Sequence, residues 1–442
     1  MNEKASILKL PTEILEAVFS EVRSSFHTLK AVSQTCRRLY TIAAPHVLSS
    51  VVIRSPESMN RFIERVASSH HIASFIREVQ IHYHVLDEDT DGSPEDIEPV
   101  LPKLVNLESL VIRSSWFDTD KAKKMQLLCR PQETLSALRS VILSLDYDHE
   151  WGFSVGSYGY LLHHPGLEKL TIAGVAFQMG TLDQLGVPFR STSLQALTLL
   201  NCALNARHLK EMLLYPLQLK HFTMKGQEER YIYGPFRDFD RRLYIDAPRP
   251  HASSLETLDI DLQYGHTGEP IDLSKFSALL SLTISPRMLI GDNQEFWLKD
   301  ASTSDWAKLL PSSLQHLTFR HDCAVFPLIQ MYEAVREGYI KLRSLTCQIA
   351  SNAQEDGSPC YDEGDLDTLD PQGVKVFRSP DEVMSDASPD GVTYAEGFQA
   401  IGIDFSVIEV PRTETLTGYD SCPCPCWTYK HRVYNGEDYS WW

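Results

Sequence analysis

One apolar spacing returns along most of this chain: an apolar residue, two spacers, a second apolar residue, one spacer and a third. It reads Leu107-x-x-Leu110-x-Ile112, Leu138-x-x-Val141-x-Leu143, Leu167-x-x-Leu170-x-Ile172, Leu194-x-x-Leu197-x-Leu199 and Leu219-x-x-Phe222-x-Met224. It continues as Leu255-x-x-Leu258-x-Ile260, Leu279-x-x-Leu282-x-Ile284, Leu314-x-x-Leu317-x-Phe319 and Leu342-x-x-Leu345-x-Cys347. Ile76-x-x-Val79-x-Ile81 precedes the series, and Phe398-x-x-Ile401-x-Ile403 is placed as its closing copy. The period-two end of each copy is strand-like, while the residues between copies often read as helix, as where Asn205 caps Leu209, Met212 and Leu213. No such unit buries its apolar edge alone. Stacked units share one continuous core and form a parallel sheet, which makes the expected fold class α/β.

Successive copies in the series lie about 24 to 36 residues apart, near or somewhat above the ~20 to 29 of leucine-rich repeats. One copy extends to Leu194-x-x-Leu197-x-Leu199-x-x-Cys202-x-Leu204, with Cys where that pattern takes Asn or Cys. The stretch resembles the leucine-rich-repeat class, which implies a solenoid with a concave sheet. Spacers beside the strand leucines then point outward: Lys169 and Thr171; His221, Thr223 and Lys225; Thr257, Asp259 and Asp261; His316, Thr318 and Arg320. Mixed charge suits a protein partner better than a polyanion. Lys169, His221, Lys225, Asp259, Asp261, His316 and Arg320 are therefore the candidate substrate contacts, although any solvated sheet face is polar in this way.

The N-terminal residues follow a different period. Leu10-Pro11-Thr12-Glu13-Ile14-Leu15 opens a helix, because Pro11 fits a first-turn position and Glu13 complements the positive helix end. Ile14, Leu15, Val18, Phe19 and Val22 give one stripe, and Leu29, Val32, Cys36, Leu39 and Tyr40 a second. Pro45 is expected to end or bend the segment Thr41 to Leu48. Helices this short are marginal alone, so a partner or neighbouring domain is implied. Ser55-Pro56 then starts a further helix through Met59, Phe62, Ile63 and Val66.

Leu10-Pro11-x-Glu13-Ile14-Leu15, Val18-Phe19, Val32-Ser33-x-x-Cys36-Arg37-Arg38-Leu39-Tyr40, Ala44-Pro45 and Val51-Val52-Ile53 together resemble the F-box family. The resemblance covers about Ile7 to Ile53. It implies docking onto a Skp-family adaptor, and through it a cullin-RING ligase, by Leu10, Pro11, Ile14, Leu15, Phe19, Val32, Cys36 and Leu39. The chain departs from many F-boxes in having Ser24-Ser25-Phe26-His27 where a Pro and an acidic residue usually precede the second helix. An F-box joined to such repeats resembles many fungal F-box proteins. That pairing implies the substrate receptor of an SCF-type ubiquitin ligase, acting in ubiquitin-dependent degradation; a non-ligase scaffold is the alternative.

Expected domains are 1–54 (F-box), 55–350 (solenoid), 351–396 (acidic insertion) and 397–442 (final repeat with an aromatic and Cys-rich cap). A net charge of −18 argues against a general nucleic-acid binder, whose affinity rests on clustered Lys and Arg. Met1 to Leu10 lacks a signal peptide's apolar run, no stretch approaches a membrane span, and nine scattered Cys suit a reducing compartment, so cytoplasm or nucleus is expected. Cys422, Cys424 and Cys426 with His431 form a zinc donor set by type, but alternate residues of a proline-stiffened chain lie too far apart to share one ion. The tail from Trp427 to Trp442 reads as a capping hairpin around Asn435-Gly436, and His82 and His84 as surface histidines. Leu86 to Glu98 is an acidic loop, and Ser379-Pro380 and Ser388-Pro389 read as turns or phosphorylation sites. No phosphate-cradling Gly loop, nucleophile elbow or metalloprotease helix occurs. The expectation is a non-catalytic chain with no metal and no cofactor.

Overall fold

The computed structural model describes residues 7–22, 25–83, 97, 99–114, 135–145, 159–162, 164–174, 188–202, 204–226, 241–262, 270–291, 303–320, 325–350 and 392–410. The chain divides into two compact units, 1–170 and 171–442, each an alternation of helices with parallel strands.

The first unit opens with a 3-10 turn, Ile7–Lys9, followed by α1 (Thr12–Glu21), α2 (Phe26–Ser33) and α3 (Arg37–Val47). Pro11 stands at the N-cap with φ −54°, one residue earlier than expected and already preset for the helix. The second apolar stripe is two helices, not one. Ser33 Oγ and Thr35 Oγ1 bond the carbonyls of Lys30 and Val32, closing α2, and Cys36 is fully extended with φ −160°. Pro45 does not end its segment: α3 runs through it to Val47, since so near a C-terminus it removes a single helical bond. Leu15, Phe19, Leu29, Leu39, Ile42 and Ala43 form the module's core.

The sheet begins inside the region expected to be F-box. Strand β1 (Ser50–Ile53) pairs with β2 (Glu78–Tyr83), which pairs with β3 (Ser109–Ser114) and that with β4 (Ser140–Leu145), all parallel. Between β1 and β2 lie α4 (Pro56–Ser68) and α5 (His70–Ala73). Ser55 caps α4 by accepting from the Ser58 amide, and Met59, Phe62 and Val66 are its buried face. The position before each strand alternates in charge as Arg77, Glu108, Arg139 and Glu168, with ion pairs of 2.5 Å (Arg77–Glu108) and 3.7 Å (Arg139–Glu168). These pairs are half-exposed, so they serve register more than stability. Helix α6 (Gly159–Leu162) precedes β5 (Lys169–Ala173), within which the division between units falls.

In the second unit β6 (Ala196–Leu200), β7 (His221–Lys225), β8 (Thr257–Asp261), β9 (Ser281–Ile284), β10 (His316–Arg320), β11 (Ser344–Ala350) and β12 (Asp404–Val410) pair in chain order, again all parallel. Helices α7 (Ala206–Met212), α8 (Arg241–Asp246), α9 (Pro286–Ile290), α10 (Thr303–Leu309), α11 (Val325–Arg336) and α12 (Tyr394–Ala400) alternate with these strands. Asn205 caps α7, its Oδ1 accepting from the His208 amide at 2.8 Å. In all nine copies of the series the three apolar residues are buried. The expected closing copy is out of place. Phe398 belongs to α12 and stacks on Phe405 at 5.1 Å, while register sets Phe405 and Val407 beside Leu345 and Cys347 as the strand anchors. The capping box of Thr393 and Glu396 starts α12 within the stretch expected to be insertion.

Strand ends are turned by left-handed residues: Gly174 (φ 69°), Asn201 (φ 49°) and Gly226 (φ 70°). Each amide still continues the ladder, donating to Leu200, Lys225 and Asp261 carbonyls respectively. The Cys202 thiol, in the position that favours Asn or Cys, donates to the Ile172 carbonyl at 3.4 Å. Two buried histidines staple consecutive repeats in the same way. His164 Nε2 donates to the Leu135 carbonyl and Nδ1 accepts from Gly166; His251 Nε2 donates to Leu213 at 2.6 Å and Nδ1 accepts from Leu219. Both rings are thereby held neutral with the proton on Nε2. No helix among the described residues is long and apolar enough to cross a membrane.

Two outcomes follow. A Cβ at Gly226 would lie 1.9 Å from Asn201 Oδ1 on a backbone of φ 70°, so Gly226→Ala should destabilise by at least about 1–2 kcal/mol in urea melts. Burial pushes the His251 imidazole below its ordinary pKa of 6.5. The unfolded chain then takes up a proton that the folded one resists, so the staple's stability is complete above that value and declines as pH falls below it. Urea midpoints should drop between pH 7.5 and 5.5, and His251→Gln should flatten part of that drop.

Candidate functional site

Two surfaces carry the candidate residues. On α1 the apolar residues come in adjacent pairs, and a helix turns 100° between neighbours. Leu15 and Phe19 consequently point into the module core with Leu39, whereas Ile14 and Val18, also four apart, point to solvent. Of the residues assigned to docking, Leu10, Pro11 and Ile14 are exposed, Val32 and Cys36 are half-buried, and Leu15, Phe19 and Leu39 are buried. The last three are core residues of the module, holding its helices in place. The structure adds Ile7, Leu8, Val18 and Tyr40, all large, apolar and exposed, the last at 54%. The signal was present in the sequence: a ten-residue helix with apolar residues on two adjacent faces has more stripe than one small core uses.

The exposed stripe has no charged neighbour within it, but Glu13 and Glu16 flank it on α1 and Lys9, Arg37 and Arg38 are exposed on the adjoining segments. Residues 25–53 contain Lys30, Arg37 and Arg38 and no acidic residue. This is the profile of a protein-docking patch: an apolar centre with a polar rim. Residues 7–52 match the F-box-like family model. The F-box-like module coincides with the three helices and the first strand, and such modules in general bind Skp-family adaptors. No curated protein matches the chain.

The second surface is the outward face of the strands in the second unit. Register places Thr198, Thr223, Asp259, Thr283, Thr318, Thr346 and Ser406 in one row across β6 to β12. A parallel row, two residues earlier, holds Ala196, His221, Thr257, Ser281, His316, Ser344 and Asp404. His221 Nδ1 lies 3.2 Å from Thr257 Oγ1 and His316 Nδ1 2.8 Å from Ser344 Oγ, both rings otherwise exposed. The hydroxyl row was not foreseen, because spacers of separate repeats align only once strand register is known.

Four of the seven candidate contacts converge. Arg320 on β10 reaches over β9, where the small buried Ser285 follows the strand, to Asp261 and Asp259 on β8. Its Nη1 is 3.4 Å from Asp261 Oδ2, its Nη2 is 3.2 Å from both Asp259 oxygens, and its Nε donates to Gln348 Oε1 at 3.1 Å. Lys225 Nζ completes the set, 3.2 Å from Asp259 Oδ2. Asp261 (2% exposed) and Arg320 (8%) are thus buried and committed to each other, a correction to their reading as open contacts. Lys169, His221 and His316 are exposed, and Lys225 and Asp259 half-buried.

Among the described residues no group of three or more His, Cys, Asp or Glu is placed to hold a metal. His82 pairs with Gln80 at 3.2 Å. His84, the Cys422 to Cys426 run with His431, the Asn435-Gly436 hairpin, both Ser-Pro sites and Leu86 lie outside the described residues.

Removing Arg320 takes the guanidinium from the buried Asp261 and leaves Asp259 to Lys225, and losing one partner of a buried pair costs about 3–5 kcal/mol. Arg320→Met should lower the urea-derived stability by an amount in that range, and Arg320→Lys, without the fork, should recover only part of it.

Proposed function

We propose that this chain is the substrate receptor of an SCF-type cullin-RING ubiquitin ligase, in which the F-box-like module docks on the Skp-family adaptor and the strand face binds a protein substrate. The carrying observation is the exposed apolar stripe of Leu10, Ile14 and Val18, which lies inside the matched segment and leaves the module's own core intact without it. The strand face supports the second half of the reading by its chemistry. Rows of hydroxyls with interspersed imidazoles offer many hydrogen-bond donors and acceptors at little desolvation cost, as protein recognition requires. The receptor performs no bond chemistry; it raises the effective concentration of substrate lysines near a charged transfer enzyme on partner subunits. The corresponding compartment is cytoplasm or nucleus, and the partners are proteins, neither nucleic acid nor membrane.

Ile14 is 49% exposed, so Ile14→Asp should leave the thermal midpoint unchanged while weakening binding to a purified Skp-family adaptor about 30-fold or more, the loss typical of a central docking residue. Recovery of cullin with the wild-type protein from cells, and its loss with Ile14→Asp, identifies a ligase receptor. Adaptor without cullin would instead identify a scaffold acting outside a ligase.

A further inference from the structure

The 3-10 turn Ile7–Lys9 buries none of its residues, and it leads directly into Leu10 and Pro11. A segment so exposed gains little from packing, so hydrogen bonds decide its conformation in the unbound protein. The Leu10 amide donates to the Ile7 carbonyl at 3.2 Å, closing the turn on itself. Orientation relative to the other helices comes from Arg38, the second residue of α3. Its Nη1 donates to the Leu8 carbonyl and its Nη2 to the Leu10 carbonyl at 2.8 Å. A guanidinium is flat and its N–H groups diverge at fixed angles, so two bonds from one fork set both the distance and the tilt of the peptide they hold. An ammonium at the same place is a single point donor and sets neither.

We propose that Arg38 is a positioning residue for adaptor docking: it orders Leu8 to Pro11 against α3 before the adaptor arrives, so that Leu8, Leu10 and Ile14 present one continuous apolar surface. This rests on the adaptor-docking reading given above. The guanidinium acts through backbone carbonyls, so its effect falls on how often the unbound module is competent to bind. An equilibrium between ordered and disordered turns lowers apparent affinity by the competent fraction. When exchange is fast the loss appears in the association rate, since the complex, once formed, holds the segment by its own contacts.

The test uses the full chain and a purified Skp-family adaptor, with binding kinetics read by surface plasmon resonance. Wild type is compared with Arg38→Ala, Arg38→Lys and Ile14→Asp, and amide exchange at Leu8 to Leu10 is followed in the unbound proteins. Arg38 is itself exposed, so the thermal midpoint should stay within error in both of its variants. Arg38→Ala should slow association roughly tenfold with dissociation unchanged, and should speed amide exchange at Leu8 to Leu10 by a similar factor. Arg38→Lys should fall between. Unaltered kinetics in Arg38→Ala, with binding abolished in Ile14→Asp, would overturn the positioning role alone. A loss confined to the dissociation rate would replace it with direct contact to the adaptor. Failure of the wild-type chain to bind adaptor would overturn the docking reading and this inference with it.

Discussion

Burial of each apolar triplet against its neighbours in adjacent repeats is the condition on which the described parts of this protein depend. Leu258, Leu282 and Leu317 on three successive strands are each fully buried, and each finds its neighbours only because the strands run parallel in register. The core tolerates Val, Phe, Met and Cys347 at these places because the demand is for apolar volume at one face of a pleat. That demand leaves the opposite face unconstrained by packing. Threonine, serine and histidine occupy it, and a charge network reaches from β7 to β10 there without disturbing the core beneath.

The helical module obeys a different economy. Leu15 and Phe19 close its core with residues from α2 and α3, and this leaves a second apolar face on α1 with no counterpart among the described residues of the module. Two faces on one short helix are a poor choice for a solitary protein, since the outer one is an association hazard. They are the expected choice for an element whose outer face is covered in use. The F-box-like match over residues 7–52 and this geometry are independent, one resting on residue order and the other on which side of the helix each residue takes.

Much of the architecture was legible in the sequence, and the failures share a cause. Strand anchors from Leu107 to Cys347 were readable because each triplet is local and its period belongs to a strand. Asn205 and Ser55 were readable as caps for the same reason. Phe398 was misread because α12 carries its own apolar residues just before β12, so a local pattern fitted four residues too early. The break at Gln34 to Cys36 was hidden because side-chain bonds to carbonyls end α2 without any Gly or Pro. The Arg320 network, the His251 staple and the Arg38 fork join residues 28 to 61 positions apart, and no spacing rule within one repeat anticipates contacts set by the fold. Alternation told which residues face outward; it did not tell that Asp261 and Arg320 are hidden there.

The left-handed residues that end β5, β6 and β7 have a consequence for how such a chain changes over generations. Because the amides of Gly174, Asn201 and Gly226 still bond the next strand, the ladder is finished before the chain leaves it. Whatever is spliced in afterwards alters only the detour, and lengthening a detour carries a small and slowly growing entropic penalty. Unequal repeat lengths therefore need no compensating change in the sheet, and new recognition loops can arise there while the scaffold stays the same.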